Sequence, residues 1–102
     1  MRYLILAPQY TGSCIKDEFS GSVDLDKLSL PKELEQKIVD WHEEYKKIIP
    51  LNENERMSIV EHIKKLDQRG VALAIKIVDS IEGGAKIKYF SEGYLKYLPL
   101  KM

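Results

Sequence analysis

Ile59, Ile63, Leu66, Leu73, Ile77 and Ile81 recur in one helical phase, and Gly70 falls on the same stripe between Leu66 and Leu73. A stripe of that length needs cover along its whole extent, so the rest of a short chain must pack against it. Asn52 can accept a hydrogen bond from the first turn while Glu55, three residues later, reaches back to the Asn52 amide, a capping box with asparagine at the cap. Gly83-Gly84 suits the left-handed geometry of a helix end. The spacing therefore predicts one long helix over about 53–82. A glycine inside it costs ~1 kcal/mol relative to alanine, which implies that a neighbouring backbone comes close at Gly70. A break at Gly70 with Val71–Val78 as a strand is the alternative, since short apolar runs fit either state.

A second stripe precedes it. Leu34, Ile38, Trp41, Tyr45 and Ile48 step by four, three, four and three residues after a Leu30-Pro31-Lys32-Glu33 start, where proline is preorganised for a first helical turn. Pro50 ends that helix near Ile49. Tyr3–Leu6 is β-compatible and ended by Pro8, and reads as a central or near-central strand buried on both faces. Ala85–Phe90 alternates Ile87 and Tyr89 against Lys86 and Lys88, the period of a half-exposed strand; Ser91-Glu92-Gly93 is a turn signal and Tyr94–Leu98 is β-compatible again. The expected fold is α+β in two layers: a small sheet of two to three strands packed against two main helices, the second long. The 102 residues are expected to form a single domain, because halves would bury too little core. Gln9–Leu30, rich in Thr-Gly-Ser, Ser-Gly-Ser and Asp-Leu-Asp groups, reads as a long connection, and such connections commonly carry function.

Lysine plus arginine equals aspartate plus glutamate at 16 each, so net charge gives no reason to expect binding to nucleic acid or to anionic membrane. Met1–Ala7 is too short for a secretory core, and no apolar run approaches the ~20 residues of a spanning helix. Together with a lone cysteine, Cys14, this leads to the expectation of a cytoplasmic protein without disulfides.

Catalytic and metal-binding patterns are lacking. His42 and His62 stand on different helices, with no ligand spacing for zinc, and Asp40 does not face His42 because residues two apart on a helix diverge. The serines Ser13, Ser20 and Ser22 match neither a phosphate loop nor a nucleophile elbow. Cys14 lacks a base or a positive field nearby, since Asp17 and Glu18 follow Lys16. No cofactor, metal or enzymatic activity is expected; a small enzyme acting through His42 or Cys14 would need a pocket that joins loop and helix.

Two surfaces remain as binding candidates. Tyr89, Tyr94 and Tyr97 interleave with Lys86, Lys88 and Lys96, which suits stacking and phosphate contact on a nucleic acid or regulatory adaptor, though a blunted edge hairpin carries the same residues. Asp17, Glu18, Asp24, Asp26, Glu33, Glu35, Asp40, Glu43 and Glu44 make the long connection and first helix acidic, opposed up to Glu44 by Lys16, Lys27, Lys32 and Lys37. Such a segment is either a solvated face or an electrostatic surface for a basic protein.

Ser22–Leu34 leading to Trp41 and Tyr45, then Gly70-Val71-Ala72-Leu73-Ala74 and the Ile87–Phe90 strand, resembles small bacterial immunity-type proteins that neutralise polymorphic or contact-dependent growth-inhibition toxins. The likeness runs over residues 1 to about 98. It implies inhibition of a cognate toxin domain, often a nuclease, inside the producing cell, with no catalytic residues carried over. A strongly acidic overall balance, common in inhibitors of basic nucleases, is missing here; the local acidic segment partly supplies it. On this reading Asp17, Glu18, Asp24, Asp26 and Glu43 provide charge toward the toxin, and Tyr10 and Phe19 provide apolar anchors.

Overall fold

Both apolar stripes point inward and meet on one face of a sheet. The computed structural model describes residues 1–100. Its elements are β1 (Arg2–Leu6), β2 (Ile15–Asp17), β3 (Gly21–Val23), a 3-10 turn (Leu25–Leu28), α1 (Lys32–Lys46), α2 (Glu53–Ser58), α3 (Val60–Ser80), β4 (Ala85–Ser91) and β5 (Lys96–Leu98). The sheet is five-stranded and mixed, in the order β3-β2-β1-β4-β5, with β1 parallel to β4 and the other pairs antiparallel.

The α+β class and the two-layer packing follow the sequence, but the expectation of two to three strands is too low. The extra pair, β2 and β3, folds within Gln9–Leu30, so that stretch is a short hairpin and a helical turn rather than an open connection. Strands of three residues reading Ile-Lys-Asp and Gly-Ser-Val are too brief to show a period. β1 is central as expected, yet it is buried on one face only: Leu4 and Leu6 are in the core while Tyr3 is 37% exposed. Helices cover just one side of the sheet.

Leu34, Ile38, Trp41, Tyr45 and Ile48 are all buried. Trp41 Nε1 donates to the Leu66 carbonyl at 2.9 Å, which locks α1 against α3. The Asn52 capping box forms, with Glu55 N–H donating to Asn52 Oδ1 at 2.9 Å and Asn52 N–H to Glu55 Oε1 at 3.1 Å. The single helix expected over 53–82 is instead split, because Ile59 leaves helical geometry at φ −125° and ψ 29°. Arg56 explains the separate direction of α2: its guanidinium donates to the carbonyls of Leu51, Ile49 and Glu92, tying the short helix to the α1–α2 turn and to the β4–β5 turn. Val71–Val78 is helical, within α3.

Gly70 is indeed a point of close approach, but the neighbour is a ring rather than a backbone. A Cβ at this position would overlap the buried Tyr89 side chain. That ring is held from its far end, where the Tyr89 hydroxyl donates to Asp67 Oδ1 at 2.7 Å. Tyr45 donates to the same oxygen at 2.8 Å and Ser91 donates to Asp67 Oδ2 at 2.7 Å, so a carboxylate only 4% exposed is satisfied by three hydroxyls from α1 and β4. Burial, ahead of the neighbouring charge, pushes both tyrosine hydroxyls above their ordinary pKa and keeps them protonated donors.

Candidate functional site

The end of β1 sets the position of a groove. Ala7 N–H donates to the Cys14 carbonyl at 2.8 Å, closing the 9–13 loop back onto β2. The Ser13 hydroxyl donates to the Val23 carbonyl and accepts from Ile15 N–H, so one side chain ties this loop to both strands of the hairpin. Beyond Val23 the 3-10 turn inserts Leu28 into the core, which leaves Asp24 and Asp26 exposed beside α1. Between loop, turn and helix lies an open groove of about 430 Å³, with Asp24, Asp26, Glu35 and Glu43 among its lining residues and Leu25 and Val39 as apolar surface above the buried Ile38.

Its charge is only partly compensated. Glu43 pairs with Lys46 at 3.0 Å, whereas Asp24, Asp26 and Glu35 have no cation within 4.0 Å among the described residues. Glu35, Val39 and Glu43 are four residues apart on α1 and therefore share one side of the helix. Such a helical-wheel count would have set Glu35, already among the acidic residues read from the sequence, and the apolar Val39 beside Glu43 as binding candidates.

Of the residues singled out in the sequence, the structure brings Asp24, Asp26 and Glu43 together here. Tyr10, 63% exposed, sits in the loop whose Gly12 and Ser13 line the same groove. Asp17, Glu18 and Phe19 are elsewhere, at the opposite end of the β2–β3 hairpin. Asp17 Oδ1 accepts from the amides of Phe19 and Ser20 and its carboxylate also lies 3.8 Å from Arg2, so it shapes the turn. Glu18 pairs with Lys88 at 2.8 Å, and Phe19 stands edge-on to Tyr3 with ring centroids 5.7 Å apart. The expected acidic surface is thus two places.

His42 and Cys14 both line the groove, the convergence that an enzymatic reading requires, but their environments oppose it. Burial pushes the Cys14 thiol up to about 12, so it stays protonated and weakly nucleophilic. His42 is 8% exposed, and burial holds its pKa below the ordinary 6.5 despite the Gln9 backbone contact. Its Nε2 lies 3.1 Å from the Gln9 amide nitrogen and 2.8 Å from the Gln9 carbonyl, and the tautomer decides which contact is a hydrogen bond. The ring is a strut between loop and helix. Among the described residues, no three His, Cys, Asp or Glu side chains converge as metal ligands. No described helix is long and apolar enough to cross a membrane.

The lysine and tyrosine hairpin does not form one surface. Tyr89 is fully buried beside Asp67, Tyr94 borders the α3 side, and Tyr97 packs on Phe90 on the other side of the sheet.

The model of a family described as Serratia CdiI immunity protein-like fits residues 3–92. No curated protein matches the chain.

Proposed function

Because the chain belongs to the Serratia CdiI immunity protein-like family, immunity proteins of contact-dependent growth inhibition systems, we propose that it neutralises its toxin by seating a basic element of that toxin in the acidic groove. The single observation that carries this reading is the convergence of Asp24, Asp26 and Glu35, with no cation within 4.0 Å among the described residues, around an apolar floor. An arginine or lysine side chain has both parts of the complement, an aliphatic stem for Leu25 and Val39 and a charged head for the carboxylates. Docking strips water from these carboxylates, and charge-assisted hydrogen bonds from the basic head offset that cost.

A toxin domain that acts on nucleic acid fits best, since such a domain carries the basic residues that engage phosphates. Occupying them blocks the substrate path and requires no chemistry from the inhibitor. The work is done in the cytoplasm of the producing cell, where a delivered toxin meets its target.

Growth protection tests this directly. Cells expressing the toxin domain encoded beside this chain are rescued by the wild-type protein, and the Asp24→Lys/Asp26→Lys variant is expected to rescue poorly. Asp79→Lys, on a different face of the molecule, should rescue fully. Full rescue by the double variant at matched expression would remove the groove from the mechanism.

A further inference from the structure

The sheet has a second surface that the groove does not use. β1 and β4 pair in parallel, and parallel pairs are ordinarily covered on both faces. Here one face is open. Tyr3 and Ile5 alternate outward along β1, and Lys86 and Lys88 are exposed along β4 with Phe90 half-buried. The register sets Ile5 between Lys16 on β2 and Lys88 on β4. Edge-on aromatic pairs bracket this centre, Tyr3 with Phe19 at 5.7 Å and Phe90 with Tyr97 at 5.1 Å. Phe19 is 81% exposed and Tyr97 56%, a large apolar area for a free surface.

Resting on the toxin-neutralising reading, we infer that this open sheet face is a second docking surface for the same toxin, fitting a patch with an apolar centre and an acidic rim. Charge complementarity selects that partner chemistry. Lys16 and Lys86 have no ion-pair partner among the described residues, and Glu18 is engaged by Lys88. The face and the groove carry opposite charge, so they cannot take the same element of the toxin. They are close neighbours, since the groove lies at one end of the β2–β3 hairpin and Phe19 at the other, ~10 Å away for three extended residues. A toxin that reaches round this edge touches both, and two surfaces of opposite sign discriminate a cognate toxin from a merely basic one. A nucleic acid fits less well. The face has aromatic rings on which bases can stack, but two lysines without an ion-pair partner among the described residues give a salt slope of only about −1.4 on a single strand.

Titration calorimetry of the full chain with the neighbouring toxin domain separates the two surfaces. Lys16→Glu/Lys86→Glu and Phe19→Ala are each expected to weaken binding about tenfold with an unchanged melting temperature, as Phe19 lies outside the core. Asp24→Lys/Asp26→Lys is measured in parallel. If that variant binds normally while the sheet variants weaken, the groove reading falls and the sheet face stands; if the sheet variants bind like wild type, the sheet face is overturned whatever the groove does. Loss of binding to a single-stranded RNA oligonucleotide in the lysine variant, with toxin affinity intact, would also overturn it in favour of a nucleic-acid surface.

Discussion

Asp67 and the groove carboxylates are the same chemical group in two opposite situations. Asp67 is 4% exposed and accepts from Tyr45, Tyr89 and Ser91, so its capacity is used within the fold. Asp24 and Asp26 are exposed and have no cation in reach among the described residues. The first arrangement joins α1, α3 and β4 and fixes the core; the second leaves charge free for a partner. An acidic residue's role in this molecule is therefore decided by its partners rather than by its place in the acidic part of the sequence.

The largest expected effect tests the buried side of this contrast. Asp67→Ala leaves three buried hydroxyls short of an acceptor, at ~1–3 kcal/mol for each that finds no new partner. A loss of ~3 kcal/mol or more is expected, lowering the melting temperature by roughly 12 °C or more for a domain of this size. Asp24→Ala/Asp26→Ala should stay within about 0.5 kcal/mol of wild type, as exposed substitutions usually do. Thermal unfolding of both variants breaks the contrast if the two shifts are equal.

How much of this was readable beforehand depends on the length of the signal. The stripes of α1 and α3 span several turns, so Leu34 through Ile48 and Ile63 through Ile77 could be placed in the core from spacing alone. β2 and β3 have three residues each and depend on pairing with β1, which a local pattern does not contain. The split at Ile59 was hidden for a related reason, because Arg56 directs α2 through carbonyls as distant as Glu92. Asp24, Asp26 and Glu43 were recognisable as acidic, but only the fold separates them from Asp17 and Glu18. Asp67 carried a faint mark, a carboxylate between Leu66 and Gly70 on a buried stripe, and its hydroxyl partners come from residues 22 and 24 positions away in the chain.

A smaller effect sharpens the contrast from inside the groove. His42 has a folded pKa held below 6.5 by burial, so the neutral ring is the form that folds. Above the unfolded value its contribution is fully present; as pH falls through 6.5 the unfolded chain takes up the proton first and stability declines. The slope cannot exceed about 1.4 kcal/mol per pH unit for a single proton. Melting temperature should therefore be lower at pH 5.5 than at pH 7.5, with a smaller difference in His42→Gln.

The central claim is that free carboxylates in the groove attract a basic toxin element, and association kinetics measure that attraction. Stopped-flow rates for the wild-type chain and the neighbouring toxin domain are expected to fall steeply as salt rises. Asp24→Asn/Asp26→Asn should associate about tenfold more slowly at low salt and with a flatter salt dependence. Identical rates and identical salt dependence for the two proteins would contradict it.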